Sequence, residues 1–388
     1  MIIHTVCEGE SVLSISKKYR VNPELVSAVA EIGIKDKLLV GEELLIPIPT
    51  RSYTVRQRDT LEEIAGRFGI RREALLSANP QLMGDDSLYA GQVLAIKYEN
   101  MGLGMAAACG YLSPSCKKEK LVRALPYLTY VALCHGSYNG RGVNLHGGID
   151  TIVKCVRGGG KIPLLRIFDT TGGEFLNDNS AALALESELI EISKRHALSG
   201  IIFASYGGAR CMSNKYAEFI MRVRRSMIGH ELIFITECDE WANNICCELS
   251  DGGILVLGGE SGFQDANAES KALKAFAEGG ESSKIFVDIP AYALYANELI
   301  PERDARRLLI KASSVLKKDK DTGLSVGSIK NTPVAFEGVE RLKAKLTEIG
   351  ELGYMGVNFD IENAPIWQIM LFYTMFTPVG FSMLCPCV

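Results

Sequence analysis

The chain has 388 residues, 47% hydrophobic and 23% charged, with a formal charge of −4. That length fits one large domain with small modules attached, and the balanced composition excludes disordered and collagen-like classes. A slightly acidic net charge gives no electrostatic footprint for nucleic acid.

The first residues, MIIHTVCEGESV, lack the basic start and apolar stretch of a signal peptide, so synthesis for the cytoplasm without export is expected. An internal repeat follows. Residues 3–47 and 53–97 each carry a strand, two helical segments and a closing strand. Val6 and Val55 open the copies, Glu10-Ser11 and Asp59-Thr60 stand where a helix needs its N-cap, and Ile15 and Ile64 face the core. Gly41-Glu42-Glu43-Leu44 matches Gly91-Gln92-Val93-Leu94 near the end.

These copies resemble LysM domains, whose pattern Y-x-V-x-x-G-D-T-L-x-x-I-A, followed by N-P and L-x-x-G-Q-x-L-x-I-P, is nearly complete in the second. The resemblance implies a shallow groove for N-acetylglucosamine-containing glycans, peptidoglycan or chitin, between two loops. In the first copy they hold Gly9, Glu10 and Ser11, then residues 32–35. In the second they hold Arg58, Asp59, Thr60 and Leu61, then Asn79, Pro80, Gln81 and Leu82. The first copy departs from the pattern: it has no Asn-Pro around Ala30, and Cys7 follows the strand valine. The expected divisions are 1–49 and 50–98 for the modules, 104–380 for a large domain, and a cysteine-containing tail at 381–388.

Beyond the connector YENMGLG runs a strand–helix series. Strands are expected at 106–112, 127–134, 161–168, 200–206, 231–237, 253–257, 284–289 and 355–361, with helix-patterned segments between most of them. Eight such units fit an α/β fold of the (β/α)8 TIM-barrel type, with functional residues at the C-terminal strand ends; a doubly wound sheet is the alternative. APIWQIMLFYTMF is too short to span a bilayer and reads as a buried helix, so no membrane role is expected. Gly158–Gly160 precedes a strand and reads as a turn, not a phosphate loop. His135, His146, His196 and His230 are isolated, and the eleven cysteines form no zinc-type pairs, so neither metal nor cofactor is expected. Most cysteines read as small buried hydrophobes, while Cys385 and Cys387 are placed to cross-link copies.

RHALSGIIFASYGG, from Arg195, carries the functional question. In its setting it resembles strand four of a glycoside hydrolase family 18 barrel, most closely the LysM-bearing N-acetylglucosaminidases of spore germination, which act on the spore cortex. That strand reads G-[VL]-N-[IF]-D-F-E in the family. Alternation puts Ile202, Ala204 and Tyr206 on one face. Ala204 stands at the acetamide-orienting aspartate and Tyr206 at the acid glutamate. In this family the substrate's own acetamide attacks while the glutamate protonates the leaving oxygen. Tyrosine, with a pKa of about 10, is a poor acid for that task, and a methyl orients nothing.

VAFEGVERLKAKL, from Val334, resembles the family's V-W-F-E-D-x-x-S-I-x-x-K-L signature, with Ala335 for the tryptophan and Gly338 for the aspartate. LVLGGESGF at strand six and GVNFDIEN at strand eight also lack the family's sugar-binding residues. The resemblance therefore implies a catalytically degenerate barrel, a pseudoenzyme. Acids at strand ends (Asp169, Glu237, Asp239, Asp288, Asp360 and Glu362) leave room for relocated chemistry, with Glu237, Asp360 and Glu362 the candidates. Three functions compete: a glycan-binding spore-envelope protein with the barrel as scaffold or lectin, an active cortex-lytic glycosidase using displaced acids, and a self-assembling coat component. Other spore-envelope proteins, or copies of this chain, are the protein partners considered.

Overall fold

The structure, a computed structural model, describes residues 1–82, 87–205, 214–239, 249–257, 266–279 and 282–378. In the first repeat, strands β1 (Ile2–Thr5) and β2 (Glu43–Ile46) pair antiparallel around helices α1 (Val12–Tyr19) and α2 (Pro23–Ala30). In the second, β3 (Arg51–Thr54) and β4 (Val93–Lys97) pair around α3 (Leu61–Phe68) and α4 (Arg72–Ser77). The expected caps form: Ser11 and Thr60 start α1 and α3 in reciprocal capping boxes with Ser14 and Glu63. Each module has its own core, Val12, Ile15, Val26 and Leu44 in one, Leu61, Ile64, Leu75 and Leu94 in the other.

Seven parallel strands follow: β5 (Met105–Leu112), β6 (Tyr130–Tyr138, which turns back as hairpin strand β7, Val143–Leu145), β8 (Ile162–Asp169), β9 (Gly200–Ala204), β10 (Ile233–Asp239), β11 (Gly252–Val256) and β12 (Ile285–Ile289). Helices α5 (Lys118–Ala124), α6 (Ile149–Gly158), α7 (Asn179–Arg195), α8 (Asn214–Ile228) and α9 (Ala266–Gly279) lie between them. The chain then departs into an insertion, a five-stranded antiparallel sheet of β13 (Tyr292–Tyr295), β14 (Glu298–Pro301), β15 (Lys317–Lys318), β16 (Ser325–Ile329) and β17 (Thr332–Phe336), with helix α10 (Glu302–Lys311). Helix α11 (Val339–Glu351) leads to β18 (Gly356–Asp360), which pairs with β12 on one side and β5 on the other. With β5 also paired to β6, the barrel is closed by eight strands. Helix α12 (Ile366–Met375) and the short β19 (Thr377–Pro378) complete the described chain.

Alternation sorts the strand residues. Ala107, Cys109, Tyr130, Leu164, Ile202, Ile235, Ile254 and Phe286 fill the interior, while Ala108, Val131, Leu165, Ile201, Phe203 and Val357 face the helices. Gly200 is required where β9 meets β10, because a Cβ there would lie 2.1 Å from the Ile233 carbonyl oxygen. All eight expected barrel strands are present; the insertion was not anticipated. Its strands are two to five residues long, too short for a strong periodic signal.

The modules are built onto the barrel. Leu25, Val29, Leu45, Ala78, Ala95 and Tyr98 join the barrel's outer core, and Leu39 joins that of the insertion. Glu42 forms a two-pronged ion pair with Arg306, and the Leu316 N–H donates to the Val40 carbonyl at 2.8 Å. The signature around Glu337 is structural. Glu269, Glu337, Arg341 and Lys345 form a buried four-charge cluster, with Lys345 Nζ 2.7 Å from Glu337 and 3.2 Å from Glu269. Burial pulls the Lys345 pKa down, and the two carboxylates more than restore it.

Candidate glycan-binding surfaces and barrel mouth

In the second module Asp59 organises the first loop. It accepts from the Tyr53 hydroxyl at 2.7 Å and the Arg56 N–H at 2.8 Å, with Arg67 at 3.5 Å. The Tyr53 bond first, then the Arg56 N–H, hold its carboxyl below the usual aspartate range. Arg58 stands at the pattern's glycine and takes its left-handed backbone, φ 72°, where Gly9 in the first module has φ 80°. Arg58 and Thr60 are exposed, Asp59 and Gln81 half-buried.

The second loop has a different character. Asn79 is fully buried: its amide donates to the Leu75 and Ala95 carbonyls at 2.8 and 2.7 Å and accepts from the Ala95 and Gln81 N–H groups. Its side chain thus pins α4 to β4 and has no surface to offer a ligand. Pro80, Leu61 and Leu82 are buried too, the leucines meeting in the core beneath both loops. What remains at the surface is Arg58, Asp59, Thr60 and Gln81.

The first module repeats the scheme with other residues. Glu10 accepts from His4 Nε2 and the Cys7 N–H, both at 2.8 Å, with Lys18 at 3.8 Å. The Cys7 bond is the main reason its carboxyl sits below the ordinary range. Gly9 is exposed, and Glu10 and Ser11 half-buried. Ala30 occupies the place of Asn79, so the loop of residues 32–35 lacks that pin.

At the barrel mouth, β9 ends in Ala204, fully buried and in register with Phe168 on one side and Glu237 on the other. Ser205 donates to Asp169 at 2.8 Å, and Asp169 also takes two N–H bonds from its own loop. Tyr206 lies outside the described residues, as does the side chain of Asp239. Glu237, one strand from Ala204, is 5% exposed. Arg166 grips both its oxygens at 2.6 and 2.8 Å, and the Tyr111 hydroxyl donates to one of them at 2.9 Å.

Asp360 is engaged likewise, taking the Tyr292 hydroxyl at 2.6 Å, the Asn363 amide at 2.8 Å and the Glu362 N–H at 2.9 Å. Glu362 points to Ser113 and Ser115, 2.5 and 3.1 Å away, and the Ser113 bond leads in holding its carboxyl below the usual range. Glu237 and Asp360 thus have both oxygens occupied by donors from the fold, and Glu362 has one of its two bound to the serines. Asp288 differs. Burial pushes it up to about 7, against the Asn358 amide donating at 2.5 Å and with the charges of Glu237 and Asp360 adding to the rise. A carboxyl titrating there can exchange a proton near neutrality. Its sequence signal was faint, a lone acid in the apolar strand IFVDI; Arg166 in IPLLRIFD is the same kind of signal.

Among the described residues no three His, Cys, Asp or Glu side chains converge as a metal site, and no helix is long and apolar enough to cross a membrane. Cys134 faces the mouth acids, and burial pushes its thiol up to about 12. Cys385 and Cys387 lie outside the described residues.

Two small βααβ modules precede a closed eight-stranded parallel barrel: two LysM domains and a TIM-barrel fold. The LysM domain family matches residues 4–47 and 53–97. Among characterised proteins, the chain is 29% identical over 134 residues to the putative sporulation-specific glycosylase YdhD of Bacillus subtilis, covering 34% of this chain and 31% of that protein. It is 33% identical over 97 residues to the cell wall-binding protein YocH of the same organism, covering 24% and 33%. The chain thus spans about a third of these two relatives' lengths. Among solved structures, the Bacillus cereus spore cortex-lytic enzyme SleL superposes with a TM-score of 0.75 at 18% identity, over 98% of this chain and 99% of that one. Human YKL-39, a pseudo-chitinase with retained chitooligosaccharide binding, superposes at 0.58 with 10% identity, over 69% and 98%. At these identities the structural likeness is one of fold.

Proposed function

We propose that the chain is a glycan-binding protein of the spore envelope. Its LysM modules, taken as residues 1–49 and 50–98, hold N-acetylglucosamine-containing strands such as peptidoglycan, and its barrel, residues 104–380, is a non-hydrolytic scaffold or lectin. One observation carries this reading. Strand four ends in the buried methyl of Ala204, and the nearest carboxylate across the strand, Glu237, has both oxygens committed to Arg166 and Tyr111. An acid so engaged has no geometry left for a glycosidic oxygen. The relatives support the setting: SleL is a spore cortex-lytic enzyme, YocH binds cell wall, and YKL-39 is a precedent for sugar binding without hydrolysis on this fold.

The test has two arms. The full chain should co-sediment with peptidoglycan and with chitin, and it should release no reducing ends from cortex fragments above a matched control. Retention in the supernatant overturns the binding role. Turnover overturns the pseudoenzyme role, and the raised Asp288 then becomes the acid to replace, Asp288→Asn abolishing release.

A further inference from the structure

Where the first module, the barrel and the insertion meet lies a pocket of about 30 Å³, lined among others by Glu31, Lys120, Arg123, Arg303 and Glu362. Lys120 and Arg123 are one turn apart on α5, which follows β5; Glu362 follows β18, the neighbouring strand, so the pocket opens at the C-terminal rim of the barrel. Three cations share it. Arg123 Nε is buried with no hydrogen-bond partner among the described residues. Lys120 Nζ donates to the Glu362 carbonyl, and burial, then the charge of Arg303, pull its pKa below that of an ordinary lysine. Helix α12 starts at Ile366 on the pocket wall; its N-cap, Pro365, gives no side-chain cap, and Glu31 takes the Ile366 N–H. Of the carboxylates lining the pocket, that of Glu362 is bound to Ser113 and Ser115. The remaining one, Glu31, faces Arg123, Lys120 and Arg303, so two carboxylates stand against three cations. The pocket is short of negative charge.

We propose that this pocket is an anion subsite for a carboxylate carried on the glycan strand, the feature that separates peptidoglycan from neutral N-acetylglucosamine polymers. The proposal rests on the glycan-binding reading and names its substrate class. The pocket has room for one group of water or carboxylate size, and Arg123 supplies the unused, charge-assisted donor such a group would take.

Titrations of the full chain with N-acetylmuramic acid, N-acetylmuramyl-L-alanyl-D-isoglutamine and N-acetylglucosamine test it. The first presents a lactyl carboxylate and the second a stem-peptide carboxylate, so whichever binds identifies the source. At least one should bind about tenfold more tightly than N-acetylglucosamine, and added salt should erode the difference. Arg123→Gln and Arg303→Gln should each remove most of that preference and leave chitin co-sedimentation unchanged. If Arg123→Gln fails to fold, Arg303→Gln answers, because that side chain is 41% exposed. Equal affinity for all three sugars, or a preference that survives both substitutions, overturns the subsite. Loss of chitin and peptidoglycan binding by the wild type would overturn the proposed function instead, and the soluble-sugar titration decides the subsite either way.

Discussion

Arg166 and Glu237 sit at the mouth with side chains 18% and 2% exposed, so each is the other's main compensation for lost hydration. Glu237→Gln leaves a guanidinium facing a neutral amide in a dry site, and a loss of about 3–5 kcal/mol in unfolding free energy is expected. The double change Arg166→Met with Glu237→Met should cost far less than the sum of the singles, as a denaturant-unfolding cycle would show. A Glu237→Gln protein as stable as wild type would refute this structural role. Asp288 gives a pH signature of known sign. Unfolded, an aspartate releases its proton near pH 4; folded, Asp288 keeps it to about 7. Its contribution to stability is therefore full below about pH 4, falls as pH rises to about 7, and is level above. Asp288→Asn should raise the melting temperature relative to wild type at pH 8 and not at pH 4. An equal shift at both pH values would show that the carboxyl does not titrate in this window. The sequence held the acids but not their partners: Glu237 meets Arg166 and Tyr111 from 71 and 126 residues away, pairings that no local pattern encodes.

Helix starts were legible because a cap is local. Ser11 and Thr60 lie three residues before Ser14 and Glu63, and the reciprocal bonds form. Asn79 was legible in position and not in role; an Asn-Pro in a ligand loop reads as a contact, yet its amide is consumed between α4 and β4. The loss of an aspartate at Gly338 reads as erosion in the sequence, and the structure supplies a substitute. Gly338 is the N-cap of α11 without a side-chain cap, and Glu43 from the first module accepts the Glu340 N–H at 2.9 Å. A Cβ on residue 338 would lie 2.7 Å from that same carboxylate, so glycine makes room for the borrowed cap. Glu43→Ala should therefore cost about 0.5–2 kcal/mol, the range for a lost N-cap, although residue 43 is in a different module from the helix. A melting temperature equal to wild type would show that the contact does not stabilise the helix.

At the scale of the whole molecule, the barrel's eight strands were readable because each is an apolar run between helix-patterned segments, while the docking of the modules was not, since it depends on surfaces brought together by the insertion. Gly41 and Gly91 expose the difference. They occupy equivalent turns of the two repeats, with φ of 84° and 91°. At Gly91 an added Cβ meets nothing within 4 Å; at Gly41 it would lie 2.2 Å from the Leu316 carbonyl oxygen, on backbone that a side-chain shift cannot move. Gly91→Ala should cost only the left-handed strain of a non-glycine residue, about 1–2 kcal/mol, felt within its own module. Gly41→Ala carries the same strain and also forces the first module off the insertion, breaking the Val40–Leu316 hydrogen bond and displacing Glu42 from Arg306 and Leu39 from its core. The Gly41 variant should thus melt in two steps by calorimetry, an early transition for the released module and a later one for the barrel, and the Gly91 variant should keep the wild-type number of transitions. If the two variants melt alike, the first module is tethered to the barrel and not seated on it, and its groove has no fixed direction relative to the mouth.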